Sequence, residues 1–302
     1  MFLLLSRLSS LNRYKTLNLK AYNNYQCYFV KYIQSRIMAV TINDAIGILK
    51  SIAPLNLAEG WDNVGLLVEP SQNKIMRSLL LTIDLTEDVV DEAIENKCQL
   101  IVAYHPNIFK PLKSVNHEHW KQRIIIKCIK NDIAVFSPHT SWDSMRNGVN
   151  DWLSTAFEVE YSKPINVNAN DSSGRTGVGR YITLQSAISL KTAIELVKEL
   201  IGLPYVRVGV GRKKDLDSYI NSVAICAGSG TSVLSGVKAD LYLTGEMLHH
   251  DVLEATQQGI NVILCNHSDS ERGFLKYFQK KYDIEGIEVK ISKVDRDCLQ
   301  TM

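Results

Sequence analysis

Apolar residues along this chain recur in two rhythms that take turns. Ile42, Ala45, Ile46 and Leu49 fall on one face at helical spacing, with Thr41 placed to cap that helix and Pro54 to stop it. Short, nearly continuous apolar runs at residues 79–83, 100–104, 133–136, 222–226, 241–243 and 262–265 read instead as buried strands. Helical patterns separate them, over about residues 84–96, 119–130, 149–157, 189–201, 246–258 and 271–282. Gly202 stands where the fourth of these should end, and acidic residues fill the first turn of the helix that starts near Asp84. Weaker strands are expected after the turn at Gly60, at 180–184, at 206–210 and at 288–292.

Strand and helix alternating, with strands apolar on both faces, is the pattern of mostly parallel sheets covered by helices. The two halves echo one another: each has a strand, a helix, a strand ending in a polar cluster, and a further strand ending in His. The expected fold is therefore α/β, with two similar lobes, mostly parallel sheets and a metal cleft between them. Residues 40–161 form the first lobe and 177–302 the second. The Asn/Ser-rich stretch at 162–176 has no periodicity and is expected to link them.

Composition alters this picture at one end only. The 302 residues are 45% hydrophobic and 22% charged, ordinary for a globular protein of a size that buries a sizeable core. The first 38 residues carry six basic side chains and no acidic one, leaving 28 basic against 32 acidic in the rest. That Arg-, Ser- and Leu-bearing leader has the composition of a mitochondrial presequence, and its short apolar run argues against a secretory signal. If translation starts at Met38 instead, the cytoplasm or nucleus is expected. The mildly acidic body offers no nucleic-acid surface, and no run approaches the roughly 20 apolar residues of a membrane span. Six cysteines, among them Cys27, are scattered without a Cys-x-x-Cys pair, which suits a reducing compartment better than a disulfide framework or structural zinc.

Chemistry concentrates just beyond the strands. The runs at 100–104, 133–136 and 262–265 are each followed by His or Asp: His105; His139 with Asp143; His267 with Glu271. Strand ends of an α/β sheet are where ligands gather, because loops there are held by a rigid scaffold. His105, Asp143, His267 and Glu271 together offer imidazole and carboxylate donors suited to zinc, manganese or iron. Each has a plainer alternative. Ser268 and Glu271 have the spacing of a capping box, Asp143 can cap its own loop, and His105 can simply hydrogen-bond a strand end. Glu246 and His250, four residues apart, form a rival cluster, and Gly228-Ser-Gly230 resembles a weak anion-binding turn.

Several of these stretches also carry a family resemblance. Trp61-Asp-Asn-Val-Gly65, Tyr104-His-Pro106, His139-Thr-Ser-Trp-Asp143, Gly148-Val-Asn-Asp151, Leu243-Thr-Gly-Glu246 with His249-His250, and Asn266-His-Ser-Asp-Ser-Glu271 together resemble the NIF-three-like family, whose bacterial members are called GTP cyclohydrolase 1 type 2 homologues. The resemblance runs from about Val40 to the C-terminus. It implies a two-lobed α/β fold, one or two divalent metal ions between the lobes, and a homo-oligomer built from dimers. The family's ligands fall on His105, Asp143, His267 and Glu271. Where bacterial members have two adjacent histidines this chain has Tyr104-His105, which weakens the second metal position because tyrosine is a poor ligand near neutral pH. Two functions follow from the resemblance. One is a metal-dependent hydrolase of the GTP cyclohydrolase type, in which His139, Glu246 or His250 would transfer protons. The other is a non-catalytic regulator that binds transcriptional co-regulators.

Overall fold

The computed structural model describes residues 40–300 apart from 170, 283 and 285. The basic leader and Cys27 lie outside the described residues. The first helix, α1 (Ile42–Ile52), is closed at its start by a capping box in which Thr41 and Asp44 bond each other's backbone N–H, and it buries the four apolar residues expected of it. The first half then runs β1 (Gly65–Val68), β2 (Ser78–Thr82), α2 (Glu87–Glu95), β3 (Leu100–Ala103), α3 (Trp120–Lys130), β4 (Ala134–Ser137), α4 (Thr140–Ser144) and α5 (Val149–Ser154). Next come β5 (Val159–Lys163), the short β6 (Asn166–Val167) and β7 (Gly177–Val178), and the long β8 (Arg180–Ser189). The second half continues with α6 (Leu190–Ile201), β9 (Arg207–Gly209), β10 (Tyr219–Ser229), α7 (Thr231–Leu234), β11 (Leu241–Glu246), α8 (His249–Gln257), β12 (Asn261–Leu264), α9 (Asp269–Lys281) and β13 (Glu288–Ile291). Gly202 ends α6 in the left-handed conformation, as its position in the sequence suggests.

Two sheets result. The first has the order β1-β4-β3-β2-β13, parallel throughout except for β1. The second has the order β5-β8-β10-β11-β12-β9, with a parallel centre, β10-β11-β12, flanked by antiparallel strands. Strand pairing crosses the division drawn from the sequence. β5 belongs to the second sheet, and β13, from the C-terminal end, is an edge strand of the first. Within the linker stretch, β6 pairs as a two-stranded ribbon with β7, which follows that stretch directly.

The apolar faces explain why the sheets stay together. Leu79, Leu81, Val102 and Phe136 of the first sheet share one continuous core with Ile182, Val223, Leu243 and Ile263 of the second. Helices α1, α4, α5, α6 and α9 supply the filling between them, including Trp142, Trp152, Phe274 and Phe278. Helices α2 and α3 cover the outer face of the first sheet around Val89, Ile101 and Ile124. Helix α8 covers that of the second around Tyr242, Ala255 and Val262. Gly273 is where α9 meets α5: a Cβ there would lie 2.2 Å from Trp152. Among the described residues, no helix is long and apolar enough to cross a membrane.

Candidate metal centre

The C-terminal ends of strands from both sheets deliver polar side chains to one place. After β3 the Tyr104 and His105 N–H groups donate to Thr82 and Ile83, which holds His105 just beyond the strand end. After β12, Cys265 donates its N–H to Thr244, Asn266 takes a left-handed conformation (φ 62°), and His267 follows. Helix α9 then begins at Asp269 and carries Glu271 inward, where it is only 2% exposed.

His105, His267 and Glu271 each place one ligand atom within 4.8 Å of the others. His105 Nε2 lies 3.4 Å from Glu271 Oε2, and His267 Nε2 lies 3.6 Å from Glu271 Oε1. The two imidazole rings are 5.3 Å apart, centroid to centroid. Both rings are held from behind in the same way: His105 Nδ1 is 2.9 Å from Asp84 Oδ1, and His267 Nδ1 is 2.8 Å from Glu246 Oε1. A carboxylate at Nδ1 takes the proton-bearing side of the ring and leaves Nε2 as the coordinating nitrogen, the arrangement that orients histidines at metal sites. Glu271 Oε2 is buried and has no hydrogen-bond partner. Such an oxygen is costly to leave unsatisfied, and a cation shared with the two Nε2 atoms would satisfy it. The donor set therefore fits a divalent ion.

Glycine makes the room. A Cβ on Gly228, whose φ is +65°, would sit 2.7 Å from Glu271 Oε1 and 3.2 Å from His267 Nε2. The Gly228 N–H is itself used, donating to Ser270 Oγ at 2.8 Å. The Gly-Ser-Gly turn thus gives the acidic and imidazole side chains clearance rather than forming an anion cradle.

Charge in the cluster is unbalanced. Burial works against a charged His105, but the charges of Glu271 and Asp84 and the Asp84 hydrogen bond outweigh it and push its pKa up to about 10. Asp84 moves the other way: its burial is overcome by the His105 hydrogen bond and by the nearby positive charges, which hold its carboxyl below the usual range.

The other residues singled out in the sequence are placed as follows. Asp143 is not among the three groups at ion-binding distance. It lines the same cleft, accepts the hydroxyl of the buried Tyr104, and burial pushes its pKa up to about 6. Tyr104 is held as a neutral phenol, its pKa driven well above the usual value by burial and by the neighbouring carboxylates. His139 lines the cleft with an unusual backbone (φ 33°, ψ −117°), and its Nδ1 is 2.8 Å from Asp62 Oδ1. Strained backbone of this kind is tolerated where the surroundings pin it, here by Asp62 bonding both His139 and the Thr140 hydroxyl.

Two expectations are corrected. Glu246 closes β11 and the helix begins only at His249, so Glu246 and His250 share no helix face. His250 is exposed, packs edge-on against His249 and is not among the residues lining the cleft. Ser268 forms no capping box either. Its hydroxyl donates to Asp297 at 2.6 Å, which frees the Glu271 side chain to point into the cluster.

Asp84 and Asp62 were not read from the sequence as site residues. A signal existed for the first, since Asp84 follows an apolar strand just as His105 and His267 do. Asp62 sits within the Trp61-Asp-Asn motif but points at His139 only through a contact 77 positions distant.

Comparison with known proteins agrees with this architecture. A Drosophila melanogaster protein named NIF3-like protein 1 is 47% identical over 259 residues, covering 84% of this chain and 87% of its own. The Saccharomyces cerevisiae protein named NGG1-interacting factor 3 is 38% identical over 258 residues, covering 80% and 90% respectively. A crystal structure of a Bacillus cereus protein related to NIF3 shares the fold, with a TM-score of 0.76 at 24% identity, over 87% of this chain and 100% of that one. The family model described as Duf34/NIF3 (NGG1p interacting factor 3) matches residues 40–298, and the chain belongs to that family.

Proposed function

We propose that this protein holds one divalent metal ion on His105, His267 and Glu271 and is a metal-dependent hydrolase of the GTP cyclohydrolase type. The observation that carries the metal reading is Glu271 Oε2, buried without a partner between two imidazoles whose Nδ1 atoms are already engaged. Zinc, manganese and iron all suit two imidazoles and a carboxylate. A bound ion would supply a Lewis acid and a more acidic water. A single ion is favoured over a pair because Tyr104 spends its hydroxyl on Asp143 and stays neutral.

The chain's own residues handle the rest. Asp84 and Glu246 orient the two ligand imidazoles. Asp143, whose burial raises its pKa to about 6, and His139, with Nδ1 turned to Asp62, are the groups in the cleft suited to proton transfer. The GTP-like substrate class comes from the family resemblance alone. The test is metal content of the purified protein followed by GTP turnover, in the wild type and in His267→Ala. Bound metal with turnover abolished by the substitution supports the hydrolase; metal-free protein overturns it.

A second reading is favoured by the name of the yeast relative, NGG1-interacting factor 3: a non-catalytic protein that binds a transcriptional co-regulator. Metal-loaded protein that turns over nothing but captures such a partner would support that reading. Two further proposals come with the family and the leader. A homo-oligomer is read by light scattering. Mitochondrial import is read by locating tagged protein with and without residues 1–38.

A further inference from the structure

A second cleft, of about 720 Å³, lies apart from the metal cluster and shares no residue with the walls around it. Its rim carries Arg146, Lys163 and Arg175, all exposed. Among the described residues none of these three has an acidic partner; Lys163 Nζ only hovers 5.6 Å from the Tyr181 ring. Asp151, the acidic residue in the wall, is already engaged by the buried guanidinium of Arg180. Three cations without a carboxylate partner among the described residues therefore line one concavity of a protein whose body is mildly acidic. Like charges whose side chains are not paired with a carboxylate repel one another, and a concave wall focuses their field, so an anion of more than one charge gains most there.

The rim is also held in shape. The carboxylate of Asp171 accepts the N–H groups of Ser173 (2.9 Å), Arg175 (2.9 Å) and Thr176 (2.7 Å) together with the hydroxyls of Ser173 and Thr176. That brace fixes the backbone that presents Arg175, which lowers the ordering cost of gripping a ligand. Beside the cations, Tyr161 of β5 lines the cleft while remaining 54% exposed. A large aromatic left open next to a basic cluster suits a ligand with a flat apolar part next to its charge.

We propose that this cleft binds a phosphorylated small molecule, with the phosphate among Arg146, Lys163 and Arg175 and its apolar part on Tyr161. This cleft shares no lining residue with the metal centre. The probes are phenyl phosphate and inorganic phosphate, titrated into the full chain and followed by calorimetry. Phenyl phosphate should bind saturably, more tightly than inorganic phosphate, and more weakly as salt is added. The double substitution Arg146→Gln/Arg175→Gln, at exposed side chains without structural partners, should weaken both probes by at least about tenfold. Tyr161→Ala should reduce the preference for phenyl phosphate and leave inorganic phosphate unaffected. Binding that survives in His267→Ala places the ligand here. No saturable binding, equal affinity for the two probes, an unaffected double variant, or loss of binding in His267→Ala would each overturn the proposal.

Discussion

The carboxylate of Asp84 lies 2.9 Å from Nδ1 of His105, and the same carboxylate belongs to the loop that follows the strand next to the one His105 ends. Adjacent parallel strands thus supply the imidazole and the group that orients it. On the second sheet, Glu246 at the end of β11 does the same for His267 beyond β12. Removing either carboxylate should leave the ligands in place but poorly aimed. Asp84→Asn and Glu246→Gln should each weaken metal affinity by about 10–100-fold, read by competition with a chelator of known affinity.

Gly228 has no room for a side chain. Gly228→Ala adds a Cβ 2.7 Å from Glu271 Oε1 at a backbone angle of +65°. Strain at such a position costs about 1–3 kcal/mol. The substitution should lower the unfolding free energy of chelator-treated protein, read by urea denaturation, by that amount and displace Glu271, so that less metal co-purifies. A variant with wild-type metal content and unfolding free energy would contradict the packing described.

Asp62 links two distant parts of the first half by bonding His139 and Thr140. Burial would raise its pKa, but the hydrogen bonds from His139 and Thr140 win and hold it below the ordinary 3.8. A depressed acid stabilises the fold above its unfolded pKa, and that stability is lost as pH falls through the folded one. Asp62→Asn should therefore be less stable at pH 7 and lose less on acidification below about pH 4. Urea unfolding at stepped pH from 7 to 3 measures both.

Arg180 is 2% exposed and donates to Asp151, Gly177, Gly179 and Met145. It ties β8 to the turn after α4 and to the β7 ribbon. Arg180→Ala should destabilise the protein by about 3–5 kcal/mol, since it breaks a largely buried pair and strands three carbonyls. Chemical denaturation gives the value, and a loss below about 1 kcal/mol would show that the site relaxes freely.

The thiols divide sharply. Cys98, Cys128, Cys226 and Cys265 are buried, and burial pushes the thiols of Cys128 and Cys265 up to about 12. Cys298 is exposed. Of these five, Cys298 alone should react with an alkylating reagent in the native protein, as peptide mass mapping would show, with the other four following only in denaturant.

What the sequence determined by itself was local. The capping residue Thr41, the stop at Gly202, the buried face of α1 and the apolar strands all follow from backbone geometry within a few residues. His105 and His267 were legible for the same reason, since a polar residue just past an apolar run must sit at a strand end. The tertiary structure decided whatever depends on partners far along the chain. It returned β13 to the first sheet and gave β5 to the second, because each apolar face takes the neighbour that the packed core offers. It turned Ser268 to Asp297, Glu246 to His267 and Asp143 to Tyr104, choices that local spacing left open. Periodicity is written into the covalent chain at short range. Which side chain meets which across dozens of positions is settled only when two sheets close over a common core.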